Sequence, residues 1–442
     1  MTFKFFPHTD EEEFSMLHKI GAKYREDLFV DIPESIQFKN DYDLPWSMSE
    51  IEIRQFFNKL GKKNEQLTVF VGAGVYDHYT PAIIPSLIER SEFLTSYTPY
   101  QAEISQGTLH YIFEYQSMMA ELTGMDVSNA SMYDGTTATA EAVLMVVAAG
   151  KKCDKVLVSS TIDPKILKVI HTYAHFHGVN IEMIDAKDGV TDKEDLNSKI
   201  SAGGVAGVVI QQPNYYGIVE DYSGYADTCH DNKALLIMNC IPADLAILKS
   251  PGQWGADIAV GDCQSLGIPM NFGGPYAGYM CCTEKLTRKM PGRIVGMTKD
   301  NRGQRAFVLT LQAREQHIRR QKATSNICSN ESLITLSATI YVALLGKIGL
   351  YQAAELSYEG AHYLYKGLLD TGHFTKVFDA PFFNEFCVKY DGDVDKLQQM
   401  LIKNGILGGI KIDETTLMFA VTEKRTKDEI DMLINLVKEG VR

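Results

Sequence analysis

The 442-residue chain lacks any uninterrupted apolar run of the roughly 20 residues that would cross a bilayer. Its N-terminus, MTFKFFPHTDEEEF, has neither the basic start and apolar stretch of a secretory signal nor the Arg-rich composition of an import peptide. Its 43 Lys and Arg residues are outnumbered by 56 Asp and Glu residues, and the resulting formal net charge of −13 opposes binding to nucleic acid or to an anionic membrane. We therefore expect a cytoplasmic protein without a membrane or nucleic-acid partner.

Residues in metal-ligand spacing are equally scarce. The eight cysteines form no CxxC pair, and several, such as Cys281 and Cys282, lie among apolar residues, which favours a reduced and buried role. His171, His175 and His177 have helical spacing, but no acidic ligand lies near them in the sequence. We expect a surface or core histidine cluster and no metal site.

Residues 1–110 are predicted to form a helical and irregular N-terminal segment. HTDEEEFSMLHKIGA and SMSEIEIRQFFNKLGKKN carry start and stop signals of helices, and Gly61 is the candidate C-cap of the second. VGAGVYDHYTPAIIPS is rich in Gly and Pro, which predicts irregular structure.

Residues 111–330 are predicted to form a large α/β domain. A helix should end at Gly124 and an apolar helix should run to Gly150, after which short apolar strands alternate with helices. The strand candidates are KVLVSS, NIEMID, VAGVVIQQP, ALLIMNC, DIAVGD and PYAGYMCC. None shows the polar alternation of a half-exposed strand, so we expect a parallel or mixed sheet that is buried on both faces.

Residues 331–442 are predicted to form a small α+β domain. A long helix, broken near Gly346–Gly349, precedes the apolar segments FTKVF, FNEFCVKY and TLMFAV. One helix is expected from Asp395 to Asn404, and a last helix from Lys427.

A turn rich in hydroxyl groups, Tyr133 to Ala138, stands at the start of a predicted helix. The backbone N–H groups of Gly135, Thr136 and Thr137 would be free there, and the helix dipole favours an anion. The turn is either a phosphate cradle or a simple helix cap, since Asp and Thr are good caps. The pattern alone gives both interpretations equal weight.

Polar residues follow two of the predicted strands. Gln211 to Asn214 end one strand, while Asn239 and Asp244 lie at and after the end of the next. Ligands of open α/β sheets bind outside these carboxyl ends, so a cleft is expected there. Ordinary polar loops would have the same composition.

The segment GADIAVGDCQSLGIPMNFGGPYAGYM has the outline of the lysine loop of an enzyme that uses pyridoxal phosphate (PLP). Such a loop needs an amine at its turn to bind the cofactor covalently. Here the turn carries Gln264, and no lysine occurs between Lys249 and Lys285. An amide is not nucleophilic and cannot replace the amine.

Taken together, these residues resemble the glycine decarboxylase P-protein family in its bacterial two-chain form, along essentially the whole chain. The chain is similar to the subunit that corresponds to the N-terminal half of the fused enzyme. The resemblance is most specific in YTPYQAEISQG (97–107), MDVSNASMYDGTTATAEA (125–142), GDCQSLGIPMNFGGPYAG (261–278) and LQAREQHIRRQKATSNICSN (311–330). It implies an α/β protein of PLP-dependent fold type I with a large, mixed or parallel, seven-stranded sheet.

The resemblance also implies that the lysine-bearing partner subunit holds PLP and that this chain has no catalytic residue. Gln264 falls where the partner has its lysine, and Asn239 falls about where such enzymes keep an Asp against the pyridine nitrogen. An Asn cannot supply the negative charge that keeps that nitrogen protonated. The cradle at Gly135 to Thr137 would then be vestigial.

The loop Tyr97-Thr98-Pro99-Tyr100-Gln101 combines a Pro-fixed turn with two tyrosines. In the family, it would lie towards the subunit interface, where Tyr97, Thr98, Tyr100 and Gln101 would complete the partner's active site. A loop that only packs at the interface is the alternative.

A basic stretch follows from Arg302 to Lys322, and its cations are Arg305, Arg314, Arg319, Arg320 and Lys322. Arginines bind carboxylate or phosphate, so one could face glycine, a lipoyl-bearing partner or the PLP phosphate. Salt bridges that tie the two domains together are the interpretation we favour, because so many charges cannot serve one small ligand.

The expected function is therefore that of a non-catalytic subunit of glycine dehydrogenase (decarboxylating), inactive by itself. In an α2β2 heterotetramer, the pair would decarboxylate glycine with PLP and transfer the aminomethyl group to the lipoamide of H-protein. Two rival hypotheses remain. One is an autonomous PLP enzyme that uses an unrecognised lysine, such as Lys249 or Lys285, and the other is a regulatory protein that binds another anion in the cradle.

Overall fold

The computed structural model describes residues 8–150, 153–323 and 325–440. The start of the acidic N-terminal stretch (1–7) and Thr324 of the segment 311–330 lie outside the described residues. The chain divides into two compact units, of which one ends at Glu65 and the other begins at Gln66. This boundary differs from the one predicted at residue 110.

The first unit contains two helices, α1 (Asp10–Lys19) and α2 (Glu50–Gly61). Each begins with a capping box, in which Thr9 or Ser49 accepts a hydrogen bond from the N–H three residues later. Both helices were predicted, but the C-cap of α2 is Lys62 and not Gly61. Lys62 has right-handed backbone angles, so the end of this helix does not need a glycine.

The first unit has no buried residue among those described. Its exposed large apolar side chains include Phe14, Phe29, Val30, Ile36, Phe38, Tyr42, Leu44, Trp46, Phe56 and Phe57. Trp46 is 94% exposed. So much apolar surface on one segment is typical of a region that binds another protein.

The elements of the second unit alternate between helix and strand in its first part. Its helices are α3 (Ile83–Ile88), α4 (Ser91–Leu94), α5 (Gln106–Thr123), α6 (Gly135–Ala149), α7 (Pro164–His177), α8 (Lys193–Ser201), α9 (Tyr225–Asp231), α10 (Gln316–Arg319), α11 (Ser332–Asp370), α12 (Val394–Lys403) and α13 (Lys427–Gly440). Its strands are β1 (Thr68–Phe70), β2 (Val127–Ser128), β3 (Lys155–Ser159), β4 (Asn180–Ile184), β5 (Ala186–Lys187), β6 (Val190–Thr191), β7 (Val205–Gln212), β8 (Leu235–Cys240), β9 (Ile258–Asp262), β10 (Gly278–Cys282), β11 (Ile294–Lys299), β12 (Arg305–Thr310), β13 (Phe374–Lys376), β14 (Glu385–Tyr390), β15 (Ile406–Gly408), β16 (Ile410–Lys411) and β17 (Thr416–Ala420).

A seven-stranded mixed sheet in the order β2-β10-β9-β8-β7-β3-β4 organises the large domain. Neighbouring strands from β9 to β4 are parallel, and β10 is antiparallel to both β9 and β2. The six predicted strands are all present in it, and the seventh, β2, was missed because two residues carry no periodic signal.

Successive side chains of the sheet enter two different cores. Val156 and Val158 of β3 face the layer that contains α6 and α7, while Leu157 between them faces the layer that contains α8 and α9. This period of two is the geometry of a strand, and both faces are apolar because both are covered. The strands lack polar alternation in their sequences because helices cover both faces of the sheet.

Two glycines confirm the predicted helix breaks. Gly124, with φ of 67°, ends α5 in the left-handed conformation. Gly346 has φ 56° and ψ −170° inside α11, which divides that helix into two parts. Tyr341 of the first part belongs to one core cluster with Tyr115 of α5, and Leu364 of the second part belongs to another with Ile434 of α13.

No uninterrupted apolar run reaches membrane-spanning length, as predicted, but one helix, α11, is long and apolar enough on average. By length and composition this helix could cross a membrane, with a mean hydropathy of 1.8 over 18 residues, although 39% of that window is buried inside the protein. Lys347 and several Ser and Thr residues interrupt the apolar residues of this helix, so it contains no uninterrupted apolar run of that length. Core helices of folded domains have the same composition.

The small domain contains the antiparallel sheet β13-β14-β17-β16, covered by α12, α13 and the second part of α11. The predicted C-terminal segments form these elements. Strand β1 pairs in parallel with β15, so residues 68–70 of the chain pack with its C-terminal part. A long-range pairing of this kind cannot be read from local sequence.

Candidate functional site

A cleft of about 390 Å³ lies at the carboxyl ends of the central strands of the large sheet. Its lining includes Gln211, Asn239 and Asp262, which end β7, β8 and β9 respectively or lie next to those ends. Gly135 and Thr136, from the start of α6, line it as well. A cleft was predicted at these strand ends, and the structure has one there; that the hydroxyl-rich turn lines the same cleft is shown by the structure alone.

Gln264 lies in the turn after β9 and is 1% exposed. Its Oε1 accepts a hydrogen bond from the Tyr76 N–H at 2.8 Å, and its Nε2 donates to the carbonyls of Tyr76 at 2.8 Å and Ile268 at 2.9 Å. All three hydrogen bonds of this amide are therefore made with backbone groups. The side chain links the turn after β9 to the backbone of the Tyr76 loop through these hydrogen bonds.

Two of the three amides of the predicted cradle, those of Gly135 and Thr137, are already occupied by carboxylates. The N–H of Gly135 donates to Asp262 Oδ2 at 2.9 Å, and the N–H of Thr137 donates to Asp134 Oδ1 at 2.8 Å. Gly135 is close to β9, since an added Cβ would lie 2.7 Å from the Asp262 nitrogen. The cradle is thus capped by carboxylates of the same chain, as in the helix-cap interpretation.

The charges around this cleft oppose a phosphate group. Asp134, Asp163, Asp262 and Glu331 all line it, and Lys165 is the single cation among the described residues that do so. Burial raises the pKa of Asp262 to about 7, against the hydrogen bonds donated by Gly135 and Gln264. This raised pKa reduces the charge of Asp262, but four acidic groups against one lysine, together with the occupied amides of Gly135 and Thr137, do not fit a phosphate-bearing cofactor. The same features weigh against a regulatory anion in the cradle.

Asn239 lies at the end of β8 beside Gln211 of β7 and is 6% exposed. Its Nδ2 donates to the Thr139 hydroxyl at 2.8 Å, which connects the strand to α6. Asp244, the other residue predicted at this strand end, is buried but is not among the lining residues of the cleft. Burial, followed by the charge of Glu385, raises its pKa well above the usual value.

A buried contact between the domains was not visible in the sequence. Glu385 of β14 accepts hydrogen bonds from the Ala73 N–H at 2.6 Å and from the Tyr76 hydroxyl at 2.9 Å. Tyr76 is therefore held through its backbone by Gln264 and through its ring by Glu385. These partners are 188 and 309 residues from Tyr76, so no local pattern could have found them.

We expect Glu385→Gln to gain stability relative to the native chain as the pH rises from 5 to 8. Burial raises the pKa of Glu385 from 4.5 to about 7. An acid whose pKa is raised by folding contributes stability that is complete below the unfolded pKa and is lost as the pH rises through the folded value. Glutamine does not titrate; its Oε1 can accept from the Ala73 N–H, and its Nε2 can donate to the Tyr76 hydroxyl oxygen with the direction of that bond reversed. Urea unfolding at several pH values should therefore give curves that diverge. Parallel curves would contradict the assignment.

The loop predicted to face a partner is exposed and lies outside the lining of the cleft. Tyr97 is 82% and Tyr100 52% exposed, Gln101 is exposed, and Thr98 is half-buried. The Tyr100 N–H donates to the Thr98 carbonyl at 2.8 Å across the buried Pro99. The loop is therefore a tight turn that presents two aromatic rings outwards.

The basic stretch does not tie the domains together. Within the described residues, no ion pair joins any of the cations from Arg302 to Lys322 to the small domain, so that interpretation is wrong. Arg319, Arg320 and Lys322 are exposed, whereas Arg314 is half-buried.

The three histidines lie on α7 with exposed side chains. His177 is close to the carbonyl of Tyr173, 2.9 Å from its Nδ1. In the part of the chain that the structure describes, no three His, Cys, Asp or Glu side chains are grouped as metal ligands. The surface-cluster interpretation describes these residues.

The lysines of the rival hypothesis lie away from the cleft. Lys249 places its Nζ over the Trp254 ring, 3.8 Å from the centroid, and Lys285 lines a separate surface depression. Lys165, which the sequence analysis missed, does line the cleft, and its Nζ is 3.4 Å from the Ala73 carbonyl oxygen. It stands at the start of α7 and not in the turn after β9.

Comparisons with known proteins agree with this architecture. A model of the glycine cleavage system P-protein family matches residues 3–437. The probable glycine dehydrogenase (decarboxylating) subunit 1 of Carboxydothermus hydrogenoformans is 47% identical over 443 residues, which cover 98% of this chain and 99% of that protein. A crystal structure of a glycine decarboxylase (P-protein) of the glycine cleavage system, in inhibitor-bound form, is 40% identical with a TM-score of 0.90, over 99% of this chain and 100% of that one.

Glutamate decarboxylase of Lactobacillus brevis is a more distant neighbour, with a TM-score of 0.68 and 11% identity over 92% of this chain and 96% of that one, and it shows the fold alone. The mixed seven-stranded sheet with its cleft at the strand ends defines an α/β protein of PLP-dependent fold type I, as predicted. The extent of the family match then identifies the chain as a member of the glycine cleavage system P-protein family.

Proposed function

We propose that this chain is the non-catalytic subunit of a two-chain glycine dehydrogenase (decarboxylating), working in the cytoplasm with a lysine-bearing partner. The observation that carries the proposal is Gln264, which occupies the turn after β9 with its amide bonded to Tyr76 and Ile268. A side chain pinned in this way offers no nucleophile. The acid-lined cleft beside it supports the same assignment, because phosphate would be repelled there.

In this proposal the partner's lysine holds PLP, which supplies the electron sink for the carbanion formed when glycine loses CO2. The aminomethyl group then passes to the lipoamide of H-protein. The present chain contributes a wall of the partner's site through Tyr97, Thr98, Tyr100 and Gln101. Two exposed tyrosines on a rigid turn offer aromatic surface and hydroxyl groups at little entropic cost.

The expected assembly is an α2β2 heterotetramer. The relatives' designation as subunit 1 supports a second kind of chain in the enzyme. The exposed apolar side chains of the first unit, such as Trp46, offer the surface that such a partner would cover. H-protein would be a transient partner, whereas the lysine-bearing subunit would be permanent.

We expect no covalent cofactor adduct when PLP is titrated into this chain alone. The reason is that Gln264 cannot react with an aldehyde and that Asp262 and Asp134 occupy the amides of Gly135 and Thr137. The measurement is visible absorbance followed by borohydride trapping and peptide mapping, on the chain alone and mixed with its partner. The mixture should gain the adduct on the partner and catalyse glycine-dependent CO2 exchange.

Lys165→Met provides the matched control for this titration. Among the described residues, Lys165 is the lysine that lines the cleft. A slow, non-specific adduct on other lysines should form equally on the native chain and on the variant, whereas an adduct on Lys165 should be absent from the variant. A stoichiometric adduct on the native chain that disappears in Lys165→Met would overturn the proposal in favour of an autonomous enzyme.

A further inference from the structure

A second group of unusual residues surrounds the segment Pro291 to Arg293, apart from the lining of the cleft. Among the described residues, several buried side-chain atoms there have no hydrogen-bond partner, namely Asn129 Oδ1, Arg293 Nε, Arg293 Nη1, Arg314 Nη1 and Glu315 Oε2. They belong to one cluster, because Asn129 Nδ2 donates to the Pro291 carbonyl at 3.0 Å and Arg314 Nη2 donates to the Gly292 carbonyl at 2.9 Å. Buried polar groups are almost always satisfied, so a cluster of exceptions needs a cause.

Arg293 is the centre of this cluster and is 3% exposed. Its Nη2 donates to the Tyr100 hydroxyl at 3.0 Å, and its guanidinium carbon lies 5.2 Å from the centre of the Tyr100 ring. Its Nε lies 3.8 Å from Glu315 Oε2, which is too far for a hydrogen bond. In the described residues, the hydrogen bond to Tyr100 is therefore the one that the Arg293 guanidinium makes, and the Tyr100 ring covers this group.

The charges of the cluster do not balance. Arg293 and Arg314 contribute two guanidinium groups against the one carboxylate of Glu315, which also faces His317 at 3.4 Å. Burial lowers the pKa of Arg314, which indicates that its charge is poorly solvated. Charges removed from water without a partner destabilise the fold, so a further anion close to this cluster would be stabilised by its excess positive charge.

Tyr100 gives that anion a route to the cluster. Its hydroxyl accepts the hydrogen bond from Arg293, and in the described residues it has no acceptor for its own hydrogen. A hydroxyl polarised by a guanidinium is a strong donor towards an oxyanion. The ring is half exposed, and it belongs to the loop that is proposed to complete the partner's active site.

We propose that Arg293, Arg314 and Tyr100 form an oxyanion site through which this chain holds a carboxylate or phosphate group in the partner's active site. The inference rests on the proposed function and names the chemistry that the loop contributes. Tyr100 contacts the oxyanion directly, and Arg293 and Arg314 stand behind it as positioning and charge-supplying residues. Two groups of the proposed reaction have this chemistry, the carboxylate of glycine and the phosphate of PLP.

The test uses the assembled enzyme, made from its two chains, with native chain, Arg293→Gln and Arg293→Lys. Steady-state decarboxylation gives kcat and the KM for glycine, and titration of the cofactor-free complex gives the dissociation constant of PLP. We expect Arg293→Gln to raise one of these two constants roughly tenfold or more, as truncated buried charge contacts do. A raised glycine KM identifies the carboxylate, and a raised PLP dissociation constant identifies the phosphate.

Arg293→Lys should recover part of the loss, since the charge remains while the planar donor group does not. Arg288→Gln, which removes an exposed arginine five residues away, should leave both constants unchanged. If Arg293→Gln does not fold, Tyr100→Phe removes only the hydroxyl of an exposed ring and should shift the same constant in the same direction. Tyr100→Phe therefore keeps the test independent of stability.

The outcomes separate two failures. An active native pair whose glycine KM and PLP dissociation constant are unaffected by Arg293→Gln and Tyr100→Phe would overturn the oxyanion site alone, and Arg293 would then serve only the fold. A native pair without glycine-dependent CO2 exchange would overturn the proposed function, and the oxyanion site with it.

Discussion

Gln264→Leu should lower the free energy of unfolding by about 3 kcal/mol or more, since each buried polar group left without its partner costs about 1–3 kcal/mol. The substitution removes the acceptor for the Tyr76 N–H and the donors to the carbonyls of Tyr76 and Ile268. Leucine fills nearly the same volume, so the loss would come from unpaired backbone groups and not from a cavity. Urea denaturation of the isolated chain measures it.

Gln352→Leu is the matched control for this substitution. Gln352 lies exposed on α11, where the same exchange should change the free energy of unfolding by less than about 0.5 kcal/mol. Equal effects at the two positions would contradict the view that Gln264 pins the Tyr76 loop. A large loss at Gln264 would show that this glutamine stabilises the fold, and is not only a residue without a reactive amine.

Gly217→Ala should destabilise the chain by about 3 kcal/mol or more, a loss typical of strain combined with a backbone clash. Gly217 has φ of 79°, and an added Cβ would lie 1.9 Å from the carbonyl oxygen of Glu385. The clash is with backbone, which cannot rotate away, and it involves the strand that carries the Glu385 side chain towards Tyr76. The two domains would have to separate locally to accommodate one methyl group.

Gly203→Ala separates the two contributions to that loss. Gly203 has φ of 82°, but nothing lies within 4 Å of the added Cβ, so only the left-handed conformation is penalised. That penalty amounts to roughly 1–2 kcal/mol. Denaturant unfolding of both variants under one set of conditions gives the difference, which measures the close approach at Glu385. Equal losses in the two variants would mean that the backbone of β14 at Glu385 shifts at little cost to accommodate the methyl group of Gly217→Ala.

Residues close together in sequence were predicted well. Six buried strands, the breaks at Gly124 and Gly346 and the cleft beside Asn239 all follow from periodicity, glycine positions and the strand-end rule. The hairpin of β11 and β12 was missed, although the Asp300–Gly303 turn between its strands is a recognisable signal.

The contacts that hold the cleft together could not be predicted. Tyr76, Gln264 and Glu385 come from three distant segments, and only the folded chain brings them within hydrogen-bond distance. The same holds for the cradle, because the sequence shows that Gly135 begins a helix but not that Asp262 reaches its N–H. The oxyanion cluster is another example, since Arg293 was not singled out among the cations of the sequence.

The caps on α6 have a consequence for how cofactor is distributed between the two kinds of chain. Asp134 and Asp262 are tethered beside the amides they occupy, so their effective concentration there exceeds that of any free phosphate metabolite. An incoming phosphate would have to displace an intramolecular competitor and then face its charge. During assembly, this chain would therefore not compete with its partner for a scarce cofactor. PLP bound to half of the subunits, those of the partner, would then give the complex its full activity.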